Sequence, residues 1–245
     1  EIRLSLVGSE MCIRDRLQWD KVRVLVANYC NYKCPFCHNE GQGKTTTKER
    51  MSLQSFRRLV DILSNQPISE FNISGGEPFL NEDIVDMILY INDNLDCDIS
   101  CATNLSLIKP EHISVLSGTR IKFNIQFPFA TAEAFKQSTV TGNLDRILTN
   151  IDLLCAENIQ VGLNTVVQSD DFSSISTLID FALERGLPLK LLPQIGLSGS
   201  NQFLNHIRPM LDAIAVKSID KNNGALKWYI EKLSLIHISE PTRLR

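Results

Sequence analysis

The sequence predicts an α/β fold and, within that class, a partial (β/α)6 TIM-like barrel. Segments with strand patterns and helix patterns alternate along most of the chain, which favours a mainly parallel sheet with helical crossovers. Six such units fit within residues 17–200. The chemically suggestive stretches follow predicted strands, and in barrels of this kind active sites lie at the strand carboxyl ends.

The predicted strands are short apolar runs, and the segments between them carry apolar residues at helical spacing. The strands are predicted at 22–27, 70–74, 98–103, 121–127, 159–167 and 189–192. The helices are predicted at 52–64, 81–94, 110–116, 144–157 and 172–185. Ser52 and Asn81 are the expected N-caps, and Gly186 is expected to stop the last of these helices. A Gly/Ser loop is expected at 196–200, followed by a helical segment over 201–232.

Composition and charge are those of an ordinary globular domain. Hydrophobic residues make up 43% of the 245 residues, charged residues make up 22%, and the formal net charge is −3. This charge provides no basic surface for nucleic acid or for acidic membranes. No stretch approaches the roughly 20 apolar residues of a membrane span. Seven cysteines, three of them clustered, favour metal binding in a reducing compartment, so a cytoplasmic protein is expected.

Both ends of the chain are predicted to be translated sequencing adapter. Residues 233–243 can be back-translated to a DNA whose reverse complement encodes residues 6–16. Folding gives no reason for the two ends of a chain to be encoded by the same DNA read in opposite directions. Translation of a sequencing adapter at both ends does. Residues 1–16 and 233–245 are therefore set apart from the predicted barrel and from the segment that follows it.

The first chemical motif is a set of three cysteines, Cys30, Cys34 and Cys37, just after the first predicted strand. Thiolates at C-x3-C-x2-C spacing suit an iron–sulfur cluster or zinc. Three cysteines can bind three irons of a four-iron cluster and leave the fourth iron open. Zinc would need a fourth ligand, and His38 directly follows Cys37, where a closed tetrahedron is awkward. Three inert buried cysteines are the remaining alternative.

The second motif, Gly75-Gly76-Glu77-Pro78, directly follows the second predicted strand. Two glycines would let a ligand approach the backbone closely, and exposed backbone groups with the Glu77 carboxylate could hold an ammonium and a carboxylate. A tight strand-to-helix turn is the alternative. The neighbouring cysteine motif favours the ligand interpretation.

Polar side chains also mark the next three predicted strands. Thr103 and Asn104 end the third strand, where they could hydrogen-bond a ligand or cap a helix. Gln126 ends the fourth strand, and Asn164 interrupts the apolar run of the fifth. A buried amide satisfied within the core is an equal alternative for Asn164.

Taken together, these motifs resemble the radical S-adenosylmethionine (radical SAM) superfamily over residues 21–195. Within it, the chain is most similar to the GTP cyclase of molybdenum-cofactor biosynthesis and its relatives. The resemblance implies a partial (β/α)6 barrel with a [4Fe–4S] cluster on Cys30, Cys34 and Cys37, whose open iron would be chelated by S-adenosylmethionine. The expected cofactor contacts are Phe36, Gly75, Gly76, Glu77, Pro78, Thr103, Asn104 and Gln126. Reductive cleavage of the cofactor would release a 5′-deoxyadenosyl radical, with flavodoxin or ferredoxin as the electron donor.

Three sequence positions bear on whether the substrate is GTP, as the resemblance to the cyclases implies. The cyclases carry an arginine seven residues before the first cysteine, which Arg23 matches. They also carry an arginine before the glycine motif and a lysine on strand five, where this chain has Asn72 and Gly162. Losing two of three cations should cost several kcal/mol, since hydrogen bonds to charged groups contribute about 1.5–3 kcal/mol each.

We therefore expect an enzyme that acts on a substrate other than GTP, either a peptide or a small metabolite. Arg23, Asn72 and Asn164 are the expected substrate contacts. Two alternatives stay open. One is the GTP cyclase itself, and the other is a zinc-binding structural protein.

Overall fold

The computed structural model of the protein describes residues 20–37, 47–167, 172–194, 203–220, 225–230 and 234–239. Four of the segments discussed above lie outside the described residues: His38, the loop at 196–200, and residues 1–16 and 240–245. The structural statements that follow concern the described residues.

The first six strands are parallel and pair in sequence order, as predicted. They are β1 (Lys21–Leu25), β2 (Glu70–Ser74), β3 (Asp98–Thr103), β4 (Ile121–Gln126), β5 (Gln160–Val167) and β6 (Leu189–Pro193). Three further strands extend the sheet: β7 (Ala215–Asp220), β8 (Ala225–Ile230) and β9 (Ser234–Ser239). The full order is β1-β2-β3-β4-β5-β6-β9-β8-β7, so β1 and β6 are not neighbours and the barrel stays open.

Helices return the chain between the parallel strands. They are α1 (Leu53–Leu63), α2 (Ile84–Asn94), α3 (Pro110–Leu116), α4 (Ala132–Thr139), α5 (Leu144–Ala156) and α6 (Phe172–Glu184), and α7 (Phe203–Ile214) follows β6. Ser52 caps α1 as predicted, since its side chain accepts a hydrogen bond from the Ser55 amide at 3.2 Å. Among the described residues, no helix is long and apolar enough to cross a bilayer.

The predicted role of Asn81 as the N-cap of α2 is wrong. A 3₁₀ turn at Pro78–Leu80 comes first, and α2 begins three residues after Asn81. The Asn81 side chain donates to the carbonyl oxygens of Val26 at 3.0 Å and Met51 at 2.9 Å, and it accepts from the Asp83 amide at 3.1 Å. Asn81 therefore ties the turn after β2 to the chain that leaves β1, a long-range contact that a local capping pattern does not encode.

The helical prediction for residues 201–232 agrees with the structure at α7 and differs after it. Residues 215–220 and 225–230 form the antiparallel pair β7 and β8, where β-branched and aromatic side chains favour strands. Trp228 of β8 is buried, and its Nε1 donates to Asp212 of α7 at 2.6 Å. β9, which lies between β6 and β8, falls within the predicted adapter segment.

The two faces of the parallel sheet differ in chemistry because alternate strand residues point to opposite sides. One face packs against the helices and is apolar, with Val24, Phe71 and Ile73 among its buried residues. The other face, called here the inner face, is largely polar. Its polar members on β1 to β6 are Lys21, Arg23, Glu70, Asn72, Ser74, Asp98, Ser100, Lys122, Asn124, Gln126, Gln160, Asn164 and Lys190. A polar inner face in an open barrel provides a place for a ligand.

Candidate functional site

A pocket of about 230 Å³ lies at the carboxyl ends of the parallel strands. It gathers most of the residues singled out in the sequence, from the cysteine loop and from the ends of β2, β3, β4 and β5. These residues are Cys30, Cys34, Phe36, Cys37, Gly75, Gly76, Glu77, Thr103, Asn104, Gln126 and Asn164. Motifs that lie far apart in the chain therefore share one cavity.

Three predicted site residues do not line this pocket. Pro78 is buried in the 3₁₀ turn after the glycines. Arg23 is an exposed residue of β1, and its strand partner Asn72 lies two residues before the pocket wall at Ser74. Arg23 and Asn72 therefore lie on the inner face, nearer the amino ends of the strands than the pocket.

Five lining residues were not predicted from the sequence: Tyr32, Ser74, Ala102, Asn124 and Val166. Strand periodicity could have identified most of them. Asn124 precedes the predicted Gln126 by two residues, and Val166 follows Asn164 by two, so each shares its neighbour's face. Ser74 ends β2 directly before the glycine motif.

The two glycines allow the chain to approach itself closely. The amide of Gly76 donates to Ala27 O at 2.8 Å, and the amide of Glu77 donates to Tyr29 O at 2.9 Å. A Cβ atom on Gly76 would lie 2.0 Å from Tyr29 O. Gly75 has φ +149°, and a Cβ there would lie 2.5 Å from Ala27 O. The glycines thus fix the segment that leads into the first cysteine, a role in addition to the predicted approach of a ligand.

Glu77 is buried, with 1% of its surface exposed, and its carboxylate accepts three hydrogen bonds. The donors are the hydroxyl of Thr103 at 2.6 Å, the amide of Asn104 at 2.7 Å and the amide of Phe79 at 3.1 Å. Burial raises the pKa of Glu77 to about 6, and the three hydrogen bonds oppose that rise. The carboxylate therefore joins the end of β2 to the end of β3 and holds Thr103 and Asn104 in place.

Asn104 connects the end of β3 to the cysteine loop. Its Nδ2 donates to Asn31 Oδ1 at 2.8 Å and lies 3.7 Å from Cys30 Sγ. Asn31 in turn donates to Ser106 Oγ at 2.8 Å, and the Tyr32 amide donates to Cys30 Sγ at 3.3 Å. Two N–H groups thus face the Cys30 sulfur, an arrangement that suits a thiolate. Asn31 has a positioning role that its place within the cysteine motif could have suggested.

The cysteine loop is held from its other side by the end of α4 and the segment that follows it. Thr139 O accepts from the Lys33 amide at 3.2 Å, and the Thr141 hydroxyl donates to Asn31 O at 2.9 Å. The loop is therefore fastened between β3 and the α4–α5 connection. This fixes the backbone that carries the three cysteines.

The three cysteines are half-buried free thiols that line the pocket. Burial and, to a smaller extent, the negative charges of Cys30 and Cys37 together raise the pKa of Cys34 to about 12. Bound iron would reverse this effect, because a metal cation deprotonates the thiols that it binds. Within the described part of the chain, no three His, Cys, Asp or Glu side chains converge on a point that suits one metal ion. A four-iron cluster contacts each cysteine through a different iron, so three thiols that line one pocket fit it without meeting at a single point.

The chain was compared with protein families, and residues 24–182 match the family described as the radical SAM superfamily. This match covers more than half of the 245 residues and includes the cysteine loop, the glycine motif and β5.

Curated relatives are named as cyclases. The GTP 3′,8-cyclase of Clostridium perfringens is 27% identical over 187 residues, which is 75% of this chain and 58% of the relative. The probable GTP 3′,8-cyclase of Thermococcus kodakarensis is 29% identical over 172 residues, which is 70% of this chain and 55% of the relative. The chain therefore spans less than two thirds of the length of these relatives.

Solved structures share the fold at low sequence identity. SuiB of Streptococcus suis bound to S-adenosylmethionine has a TM-score of 0.69 at 15% identity, covering 80% of this chain and 48% of that one. Native anSMEcpe with bound AdoMet has a TM-score of 0.64 at 15% identity, covering 78% of this chain and 59% of that one.

Proposed function

The chain belongs to the radical SAM superfamily, and from this premise we propose that it reductively cleaves S-adenosylmethionine and abstracts hydrogen from a substrate other than GTP. The observation that carries the proposal is the pocket that gathers the C-x3-C-x2-C loop, the glycine motif and Thr103-Asn104. Family membership itself indicates an enzyme that uses S-adenosylmethionine and an iron–sulfur cluster.

The residues divide into ligands and positioning groups. Cys30, Cys34 and Cys37 would each bind one iron of a [4Fe–4S] cluster. With both cofactors bound, their chemistry supplies a 5′-deoxyadenosyl radical that takes a hydrogen atom from the substrate. The proposed contacts to S-adenosylmethionine are Phe36, Gly75, Gly76, Glu77, Thr103, Asn104 and Gln126. The protein's own task is to orient the cofactors and to exclude water from the radical.

The substrate we propose is a peptide or a small metabolite. The inner face has Asn72 and Gly162 where the resemblance to the cyclases implies cations. GTP cyclase activity is the second candidate, favoured by the names of the curated relatives. Incubation with GTP, S-adenosylmethionine and reductant tests it directly, because a cyclised nucleotide product would support this candidate over ours.

Family membership also implies an electron donor. We propose a flavodoxin or a ferredoxin, and a cytoplasmic location where such donors and free thiols persist. All six described cysteines are free thiols.

Anaerobic reconstitution tests the proposed function. The full chain is incubated with iron and sulfide, then with S-adenosylmethionine and dithionite, and 5′-deoxyadenosine is quantified. We expect Cys34→Ala to reduce 5′-deoxyadenosine release by at least about 100-fold, since one iron loses its protein ligand. Cys155→Ala is the matched control, because Cys155 is an exposed thiol on α5 outside the pocket, and it should retain wild-type release.

Two results would overturn the assignment. Undiminished cleavage by Cys34→Ala would remove this thiol from the cluster ligands. A folded protein that binds one equivalent of zinc, assembles no cluster and leaves S-adenosylmethionine intact would favour the zinc-binding alternative.

A further inference from the structure

Three polar side chains form a closed ring of hydrogen bonds between the segment after β3 and the cysteine loop. The Ser106 hydroxyl donates to Asn104 Oδ1 at 2.6 Å, and Asn104 Nδ2 donates to Asn31 Oδ1 at 2.8 Å. Asn31 Nδ2 closes the ring by donating to Ser106 Oγ at 2.8 Å. Each side chain gives one hydrogen bond to the next, and hydrogen bonds in such a chain strengthen one another.

The main chain fixes the direction of this ring. The Ser106 amide also donates to Asn104 Oδ1, at 2.9 Å, and a backbone N–H group has no lone pair to accept with. A carboxamide turned by 180° has nearly the same shape, so its orientation follows from its hydrogen-bond partners. The oxygen of the Asn104 side chain must therefore face Ser106, and its nitrogen must face the cysteine loop.

An unusual backbone conformation places Ser106 over the Asn104 side chain. Leu105, which separates the two residues, has φ +60°, and this left-handed region is uncommon for a residue other than glycine. Its amide donates to the Thr103 hydroxyl at 2.9 Å, and its carbonyl oxygen accepts from Asn150 Nδ2 at 2.9 Å. Costly backbone conformations persist where the surrounding contacts impose them, often at functional sites.

The ring uses one of the two N–H groups on Asn104 Nδ2, and the second faces Cys30. The Cys30 sulfur lies 3.7 Å from Nδ2, and it also accepts from the Tyr32 amide at 3.3 Å. Within the part of the chain that the structure describes, no side chain donates to the sulfur of Cys34 or Cys37. Side-chain donation therefore singles out one of the three cysteines.

The Asn104 side chain has no hydrogen-bonding capacity left for another ligand. A carboxamide accepts at two positions and donates at two, and all four are engaged by Ser106, Asn31 and Cys30. Asn104 is also buried, with 5% of its surface exposed. The contact with S-adenosylmethionine proposed for Asn104 therefore falls to its main chain, and its side chain serves the cysteine.

We propose that Asn104 raises the reduction potential of the cluster by donating this hydrogen bond to the Cys30 thiolate. The inference rests on the proposed function and deepens it, because it names a side chain that controls how readily the cluster accepts its electron. A reduced cluster carries one more negative charge than an oxidised one, so a donor to a ligand sulfur stabilises the reduced form more. Asn104 acts through Cys30 and is therefore a positioning residue.

An anaerobic redox titration tests this role. The full chain is reconstituted with iron and sulfide and titrated without S-adenosylmethionine, while electron paramagnetic resonance follows the reduced cluster. Asn104→Leu removes both N–H donors from a side chain of similar size. We expect the equilibrium constant for reduction to fall at least tenfold, which lowers the midpoint potential by at least about 59 mV for one electron.

Ser106→Ala is the matched control. It opens the ring but keeps the Ser106 amide that orients Asn104, so the protein should lose stability while the equilibrium constant for reduction stays within about threefold of wild type. Asn104→Asp provides a second variant if Asn104→Leu assembles no cluster. It keeps an oxygen for the Ser106 amide, loses both N–H groups and adds a negative charge that acts in the same direction. Its equilibrium constant should also fall at least tenfold.

Two results would overturn the inference. One is an unchanged midpoint potential in an Asn104 variant that binds as much iron as wild type. The other is an equal fall in Ser106→Ala and Asn104→Leu, because a loosened ring would then account for the change without the hydrogen bond to sulfur.

Failure of this inference is distinguishable from failure of the proposed function. Cleavage of S-adenosylmethionine by wild type, together with an unchanged potential in Asn104→Leu, would overturn the role of Asn104 alone. A lowered potential in Asn104→Leu, in a protein whose wild type leaves S-adenosylmethionine intact, would overturn the proposed function alone.

Discussion

The buried carboxyl group of Glu77 gives this fold a pH dependence of its own. Its pKa of about 6 lies above the ordinary value of 4.5, because burial penalises the ionised form. The protonated form is therefore favoured by folding. The stability that this group contributes is fully present below pH 4.5 and is lost as the pH rises through 6, a change of about 2 kcal/mol.

Glu77→Gln should remove that dependence. From pH 4 to pH 7, we expect wild type to lose about 2 kcal/mol of unfolding free energy relative to Glu77→Gln. Urea titrations of the cofactor-free protein at several pH values measure it, with the exposed Glu133→Gln as the control. A constant difference across this range would mean that Glu77 has an ordinary pKa in the folded protein.

At the residue scale, the sequence identified the residues suited to cofactor binding better than it identified the contacts that individual side chains make. The cysteines, the glycines and Thr103-Asn104 could be found because their residue types and spacing carry the signal. Asn124 could not be selected, because an isolated asparagine in a strand has many roles until its inner-face neighbours are known. The contacts of Asn81 with Val26 and Met51 depend on parts of the chain that meet only in the folded state.

The turn between β2 and α2 is the element on which the cysteine loop depends. A methyl group on Gly76 would collide with the backbone of Tyr29, directly before the first cysteine. Gly118, in contrast, has φ +82°, and a methyl group there would meet no atom within 4 Å. Substituting each glycine by alanine therefore separates a steric clash from backbone strain alone.

We expect Gly76→Ala to destabilise the protein by at least about 3 kcal/mol, and to reduce cluster assembly, because the loop must move. Gly118→Ala should cost about 1 kcal/mol from backbone strain and leave cluster assembly intact. Denaturant titration and the iron content after reconstitution measure these effects. Equal losses of stability and of bound iron in the two variants would show that the contact between position 76 and the cysteine loop is unimportant.

At the element scale, the parallel strands were the most predictable part. The bounds of β2 and β3 agree with the prediction, since buried parallel strands have uninterrupted apolar character on one face. α4 was not predicted, because only Phe135 and two small polar residues, Ser138 and Thr139, are buried along its eight residues. β7 and β8 were missed because their strand signal is the presence of β-branched and aromatic residues, without a clear alternating pattern.

At the scale of the whole molecule, the superfamily assignment and the open α/β barrel predicted from the motifs are confirmed. The domain boundaries and the functional roles of the site residues stay predictions. The motifs were sufficient for the family because three of them occur in order on successive strands. They were insufficient for the substrate, since the side chains of the inner face lie within the strands and outside the motifs.

The predicted adapter origin of residues 233–245 has a consequence for stability. A variant that ends at residue 232 lacks β9, which pairs with β6 and β8. If the segment is foreign to the protein, removing it should change the thermal midpoint by less than about 4 °C, which is about 1 kcal/mol in a domain of this size. Thermal unfolding and reconstituted iron content check this. Loss of the cooperative transition would show that β9 is an integral strand.

The placement of the proposed roles along each strand separates two functions that could evolve at different rates. The cysteine loop, the glycine turn and Thr103-Asn104 lie at or after the ends of the first three strands. The expected substrate contacts Arg23, Asn72 and Asn164 instead lie within strands β1, β2 and β5. Under the proposed function, substitutions within the strands can redirect the enzyme to a new substrate. The segments at the strand ends can meanwhile be inherited unchanged as a generator of radicals.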